Sequence, residues 1–315
     1  MIKTQICELL GIRYPIFQGG MAWIADAGLA AAVSNAGGLG IIAAGNAPAE
    51  YVAEQIQKAK ALTDAPFGVN IMLMSPFAQA VAEIVAKERV AVVTTGAGNP
   101  SAYMKMWLQA SIKVVPVVPS TGMARLAQRS GAAAVIAEGC ESGGHIGEIT
   151  TMALVPQVVD AVEIPVLAAG GIGDGRGMAA AFMLGAVGVQ VGTRFLVAKE
   201  CSVHQNYKDK VLAAKDIDTI TTGKRLGHPV RSLKNPFSRE FFAKEYDSNV
   251  TNDALEALGT GALRLAAVEG DLSGGCFLAG QISGMVKREQ SAQEILAELM
   301  SEAEALLNGA PQWVK

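Results

Sequence analysis

Along the first two thirds of the chain, short runs of apolar and β-branched residues alternate with longer stretches in which hydrophobic positions are interleaved with Glu, Lys and Gln. Eight runs stand out: Pro15–Gln18, Leu39–Ile42, Phe67–Asn70, Ala91–Thr94, Lys113–Val117, Ala133–Ala137, Pro165–Ala169 and Val187–Val191. Their starts lie 20 to 32 residues apart, room for a strand, a turn and a helix each time. Ala49–Leu62 and Gln79–Lys87 show the helical composition between runs. The runs are hydrophobic throughout rather than at alternate positions, as strands buried on both faces are. This pattern predicts an α/β fold, a (β/α)8 TIM barrel. A doubly wound open sheet would place a G-x-G-x-x-G turn after its first strand, and Gln18-Gly19-Gly20-Met21-Ala22 is not that turn.

After the eighth run the pattern changes. Residues 200–285 hold charged and turn-forming stretches (Gly223–Arg239, Asp247–Asp253, Gly270–Gly275), followed by an amphipathic helix over Ser291–Leu307. Ser291 with Glu294 three residues on forms a capping-box signature. We read the barrel as residues 1–199, a smaller cap subdomain over its mouth as 200–283, and a C-terminal segment, 284–315, packing back on the barrel.

Composition narrows the function classes. Half the residues are hydrophobic, 17% are charged and 35 are glycine, which excludes disorder and fits a large, closely packed core. A net charge of −3 gives the molecule no general attraction for nucleic acid or an anionic membrane. The four cysteines (Cys7, Cys140, Cys201, Cys276) form no C-x-x-C pair, so neither a metal site nor a disulfide framework is expected. Lys3 and Glu8 place charge where a secretory signal would need an apolar core. The apolar stretch from Gly28 to Gly45 is broken by Ser34, Asn35 and Gly37-Gly38, which suits packed helix and strand rather than a membrane span. These features together point to a cytoplasmic protein with reduced thiols.

Candidate chemistry lies at the C-terminal ends of the strands, where barrels carry their sites. The seventh run ends in Gly170-Gly171 and the eighth in Gly192-Thr193-Arg194-Phe195. Barrels commonly bind phosphate at these two places, through main-chain N–H groups and a helix start. Asp174, just before Gly175 and an alanine-rich helix, reads as an N-cap. Gln18, Asn70, Thr94-Thr95, Glu138 and Gln190 end other strands with polar groups. Asn70 and Gln190 are neutral amides able to donate and accept. The longest interval, between the sixth and seventh runs, holds Glu138-Gly-Cys-Glu-Ser-Gly-Gly-His145-Ile-Gly147. Its four glycines let the loop fold closely over a ligand, and His145 offers an imidazole for proton transfer. His204 and His228 read as structural. Cys140 has no base paired with it in sequence.

Taken together, these motifs resemble the FMN-dependent enoyl-acyl-carrier-protein reductase II family, within the wider nitronate monooxygenase superfamily. The likeness covers nearly the whole chain. It rests on Tyr14-Pro-Ile-Phe-Gln-Gly-Gly-Met-Ala-Trp23, Pro66-Phe-Gly-Val-Asn-Ile71, Thr94-Thr-Gly-Ala-Gly-Asn-Pro100, Gly143-Gly-His-Ile-Gly147, Ala168-Ala-Gly-Gly-Ile172, Val189-Gln-Val-Gly-Thr-Arg-Phe195 and Gly280-Gln281.

The resemblance implies tightly bound FMN, held by Gly20, Met21, Ala22, Asn70, Glu138, Gly143, Gly144, Gly170, Gly171, Gln190, Gly192 and Thr193, with Leu278, Gly280 and Gln281 contributing a turn. It implies His145 as the catalytic residue, NADH or NADPH as co-substrate and a trans-2-enoyl thioester on acyl carrier protein as acceptor. A homodimer and a monovalent cation are also family expectations; no bound metal is expected at the site. The segment Gly223–Arg239 has five cations and no carboxylate. Its Lys224, Arg225, Arg231 and Lys234 are expected to face acidic carrier protein or nicotinamide-dinucleotide phosphates. The rival activity is nitronate oxidation with O2; a non-enzymatic flavin- or phosphate-binding barrel is the other alternative.

Overall fold

The computed structural model describes residues 2–310. Eight parallel strands form the central sheet: β1 (Ile16–Gln18), β2 (Gly40–Ala43), β3 (Phe67–Met72), β4 (Val92–Gly96), β5 (Lys113–Val118), β6 (Val135–Glu138), β8 (Val166–Ala169) and β9 (Gly188–Val191). Their order is β1-β9-β8-β6-β5-β4-β3-β2. A parallel bridge between Phe17 and Leu39 brings β2 back to β1, so the expected (β/α)8 barrel is the architecture found. That seam is short of regular pairing, and Gln18 completes it. Its buried carboxamide accepts from the Ile41 N–H at 3.0 Å and donates to the Ile41 carbonyl at 3.3 Å. Gln18 is thus a strand clasp, in place of a ladder bond the seam lacks.

The continuous hydrophobic runs follow from two buried faces. Val92, Val115, Ile136 and Leu167 pack in one cluster with Phe17, Leu39 and Ile41. Their neighbours Val93, Val114, Val135 and Ala168 pack in two others, with the surrounding helices. The helix Gln5–Leu10 joins the first cluster through Ile6, Cys7 and Leu10 and plugs the barrel's N-terminal end. Burying Ile6 alone contributes about 2 kcal/mol. The opposite end stays open.

Beyond the barrel, β10 (Thr219–Thr222) and β11 (Val230–Leu233) form an antiparallel pair. β11 also pairs with β7, the two residues Gly144–His145, through Val230 opposite His145 and Arg231 opposite Gly144. This three-stranded sheet ties the segment after the barrel to the loop after β6. The helix Ala292–Gly309 starts with the expected Ser291–Glu294 capping box and lies on the helix Gly175–Met183, where the Gly175 N–H donates to Glu302 at 2.9 Å. Asp174 caps that second helix through the Arg176 and Gly177 N–H groups. Among the described residues no helix is long and apolar enough to cross a membrane.

Candidate active site

The open end of the barrel leads into a cavity of about 370 Å³. Of the residues singled out in the sequence, His145, Gly20, Met21, Ala22, Asn70, Glu138, Gly143, Gly144, Gly170, Gly171, Gln190, Gly192, Thr193, Leu278 and Gly280 all line it. Gln281 does not. It stands one residue behind, where its N–H donates to the Glu141 carbonyl at 2.9 Å.

Part of the wall is made by bare main chain. A Cβ added to Gly20 would come within 2.3 Å of the Asn70 Cβ, and one on Gly143 within 2.5 Å of the Ala279 carbonyl carbon. Gly170 and Gly171 have φ of +89° and +71°, a turn that side chains other than glycine rarely adopt. The Thr193 hydroxyl accepts from the Gly280 N–H at 2.8 Å. Its own proton stays available to an anion beside the Gly170–Gly171 turn. These five positions set three strand ends, the loop after β6 and the 278–281 turn around one concavity.

The rest is side chain. Asn70 donates to the Thr94 hydroxyl at 3.0 Å, which fixes its amide while leaving the carbonyl oxygen to the cavity. Gln190 lines the cavity, and its carboxamide makes no hydrogen bond among the described residues, so its polar atoms are free to meet a ligand. Burial pushes the Glu138 carboxyl up to about 7, moderated by the neighbouring Ser142 hydroxyl. Among the described residues that hydroxyl has no hydrogen-bond partner. The His145 imidazole is open to solvent at the mouth, yet the protein around it and His228 both hold its pKa below the ordinary value. It is therefore neutral near pH 7.

Glu141 and Thr151 were not singled out by sequence, and they latch the site. The Glu141 carboxylate accepts from the Thr151 N–H at 3.0 Å and its hydroxyl at 2.8 Å. The Thr151 oxygen also lies 2.9 Å from the Gly170 carbonyl. Loop after β6, helix start and glycine turn are thereby joined. Cys140, two residues from Glu138, is no activated nucleophile: burial and Glu141 raise its thiol pKa, which keeps the inert thiol form. His204 caps the helix Gln205–Leu212 by accepting the Asn206 N–H at 3.1 Å.

The nitronate monooxygenase family model matches residues 3–302. The chain belongs to that family. Among solved structures, FabK from Thermotoga maritima is similar with 46% identity and a TM-score of 0.97, all of both chains being covered. Nitroalkane oxidase from Streptomyces ansochromogenes follows at 29% identity and a TM-score of 0.86, over 97% of this chain and 99% of that one. Among curated relatives, an indene-carboxyl-CoA dehydrogenase from Rhodococcus jostii is 40% identical over 74% of this chain, which spans 66% of that relative's length. A probable nitronate monooxygenase from Staphylococcus saprophyticus is 32% identical over 98% of this chain and 99% of its own. Membership makes the chain a flavin-dependent oxidoreductase, and the resemblance drawn from its motifs holds.

The basic segment of this nitronate monooxygenase family member lies outside the cavity. Lys224, Arg225, Arg231 and Lys234 do not line the cavity. Arg225 is tied to the Asp247 carbonyl at 3.1 Å, the Val250 carbonyl and the Asn252 side chain at 3.0 Å. Arg231 donates to the Cys140 carbonyl at 3.2 and 3.0 Å and to the Thr219 hydroxyl at 3.2 Å. The Lys234 ammonium donates to the Ile217 carbonyl at 2.6 Å. Only Lys224 of the four has no such side-chain tie among the described residues. Arg231 braces the loop that carries His145, a role that a count of charges along the sequence cannot reveal.

Proposed function

We propose that the protein reduces trans-2-enoyl thioesters to saturated acyl thioesters, with FMN in the barrel mouth, NADH or NADPH as reductant and acyl carrier protein as the acyl bearer. Residues 200–283 act as the cap over that mouth. The observation that carries this reading is the cavity's mixed lining. One side is glycine main chain with Thr193, suited to a phosphate and its ribityl chain. Another is apolar, formed by Met72, Ala97, Val117, Pro119 and Ile146, a surface that an acyl chain would use and a small nitronate would not. The whole-chain likeness to FabK, an enoyl-acyl-carrier-protein reductase II, supports the same choice.

The cavity fits FMN on its own terms. Gly20 and Gly143 bring bare main chain up to the wall where a Cβ would clash with its neighbours, and the Gln190 amide and Thr193 proton are uncommitted. When bound, FMN supplies the hydride-carrying chemistry between nicotinamide and enoyl group. The chain's own work is placement and charge control. Asn70 and Gln190 would hold the ring edge and ribityl hydroxyls, and Gly170, Gly171, Gly192 and Thr193 the phosphate. Met21, Ala22, Glu138, Gly144, Leu278 and Gly280 would complete the bed. His145, neutral near pH 7, is suited to donate an N–H hydrogen bond to the thioester oxygen as negative charge develops there.

The neutral imidazole also fits a base that accepts a proton from a nitroalkane, the rival activity. Two assays on the same preparation separate the readings. Consumption of NAD(P)H dependent on crotonyl thioester is expected, with no nicotinamide-independent oxygen uptake on nitronate. The reverse result would replace the proposal with nitronate oxidation.

A further inference from the structure

Behind the Leu278 turn lies a second, smaller cavity of about 200 Å³, bordered by Lys210, Asp218, Leu233, Lys234 and Arg239. It belongs to neither the barrel nor the flavin cavity. Three cations and one carboxylate face it in a chain whose net charge is −3. The Lys210 ammonium donates to the Lys234 carbonyl at 2.9 Å and stands 5.5 Å over the Phe277 ring. The Arg239 guanidinium makes no hydrogen bond or ion pair among the described residues, and neither Lys210 nor Lys234 forms an ion pair with Asp218 within 4.0 Å. The Lys287 ammonium donates to the carbonyl of Ala214, a lining residue, at 3.0 Å. Like charges gathered with spare donors are an arrangement that an anion completes.

Its position joins it to the site. The Leu233 N–H donates to the Phe277 carbonyl at 2.8 Å, Ser232 bridges Leu278, and the Tyr207 hydroxyl, one turn before Lys210, donates to the Leu278 carbonyl at 2.7 Å. Leu278 lines the flavin cavity. We propose that this basic cavity anchors a phosphate group of a co-substrate whose reactive end lies over the barrel mouth. At about 200 Å³ it holds roughly six waters' worth of space, enough for a phosphate ester. The inference rests on the enoyl-reductase reading for its co-substrates, both of which carry phosphates: the nicotinamide dinucleotide and the pantetheine or coenzyme A arm of the thioester.

Calorimetric titration of the flavin-loaded protein with inorganic pyrophosphate at low ionic strength tests the site without any turnover. Saturable binding is expected, weakened about tenfold by Arg239→Gln and by Lys234→Gln. Lys58→Gln, which removes the same charge on the helix Ala49–Leu62, should leave it intact. Absent binding, or equal weakening in all three variants, overturns the proposal. Steady-state kinetics then identify the source. A KM raised about tenfold by Arg239→Gln for NAD(P)H assigns the nicotinamide dinucleotide; the same rise for a coenzyme A thioester, but not for a phosphate-free N-acetylcysteamine thioester, assigns the pantetheine arm. A KM unchanged for every reactant overturns the anchoring role. If the protein reduces no enoyl thioester at all, the pyrophosphate titration still stands or falls alone.

Discussion

Two stretches of wall enclose the same cavity and are built in different ways. Around Gly20, Gly143 and Gly170 the chain approaches its neighbours so closely that no Cβ fits, with built distances of 2.3, 2.5 and 2.6 Å. Around Asn70, Glu138, His145 and Gln190 the wall is a set of side chains whose polar atoms turn toward the space. The first stretch sets the shape of the cavity, so a change there removes the ligand. The second sets its chemistry, and at His145, the one of these four side chains not proposed to hold FMN, a change should spare the ligand and alter what happens to it.

The largest effect is expected on the glycine side. Gly20→Ala drives a methyl into the Asn70 Cβ, and neither backbone can yield without moving a strand end; such overpacking costs about 1–3 kcal/mol. The purified variant should retain its circular dichroism spectrum but carry no flavin absorbance. A yellow Gly20→Ala protein with normal flavin content would break the contrast between the two walls. On the side-chain wall, His145→Ala should keep its flavin and lose roughly 10²–10⁴-fold in enoyl-thioester turnover. Flavin loss in that variant would move His145 to the shape-setting side.

Glu138 sharpens the comparison through pH. Its folded-state pKa of about 7 lies above the ordinary 4.5, so between those values the folded protein holds a proton that the unfolded chain has released. Stability of the flavin-free protein should therefore fall as pH rises from about 4.5 to about 7 and level off above, by about 3 kcal/mol in all. Glu138→Gln should flatten that slope and be the more stable protein at pH 8. Urea unfolding of both proteins at about pH 5 and pH 8 measures it. An unchanged slope in Glu138→Gln would show that the carboxyl is solvated in the folded state.

How much of this was legible follows the same division between local and distant causes. The eight barrel strands show in the sequence because each is buried on two faces and so is hydrophobic at every position. β3 and β4 extend two residues past their expected ends, to Met72 and Gly96, because the polar Asn70 and Thr94 read as strand ends while the ladder runs on through Ile71–Thr95 and Met72–Gly96. Asp174 and Ser291 were readable as caps because a cap is made within four residues. β7 was not: Gly144–His145 becomes a strand only by pairing with β11, and nothing within the loop specifies that partner. The Glu141–Thr151 latch is hidden for a similar reason, since a carboxylate in a glycine loop announces no acceptor role until the helix start is beside it. The basic run shows its charge in sequence, but not that Arg225, Arg231 and Lys234 also brace neighbouring main chain.

The smallest effect tests that last point. Arg231 looks in sequence like a docking cation, but its guanidinium is spent on the Cys140 carbonyl and the Thr219 hydroxyl, and burial lowers its pKa. Arg231→Gln should then cost about 1–2 kcal/mol of stability, the loss of charge-assisted bonds to a half-buried carbonyl, seen as a lower urea midpoint. The guanidinium keeps its charge but is half-buried against the loop and makes no direct contact with a carrier, so the salt dependence of KM for carrier-linked substrate should change little. A variant of unchanged stability whose salt dependence disappears would return Arg231 to the protein's docking face. It would also mean that the loop carrying His145 is held by the β7–β11 pairing and the Glu141–Thr151 latch without Arg231.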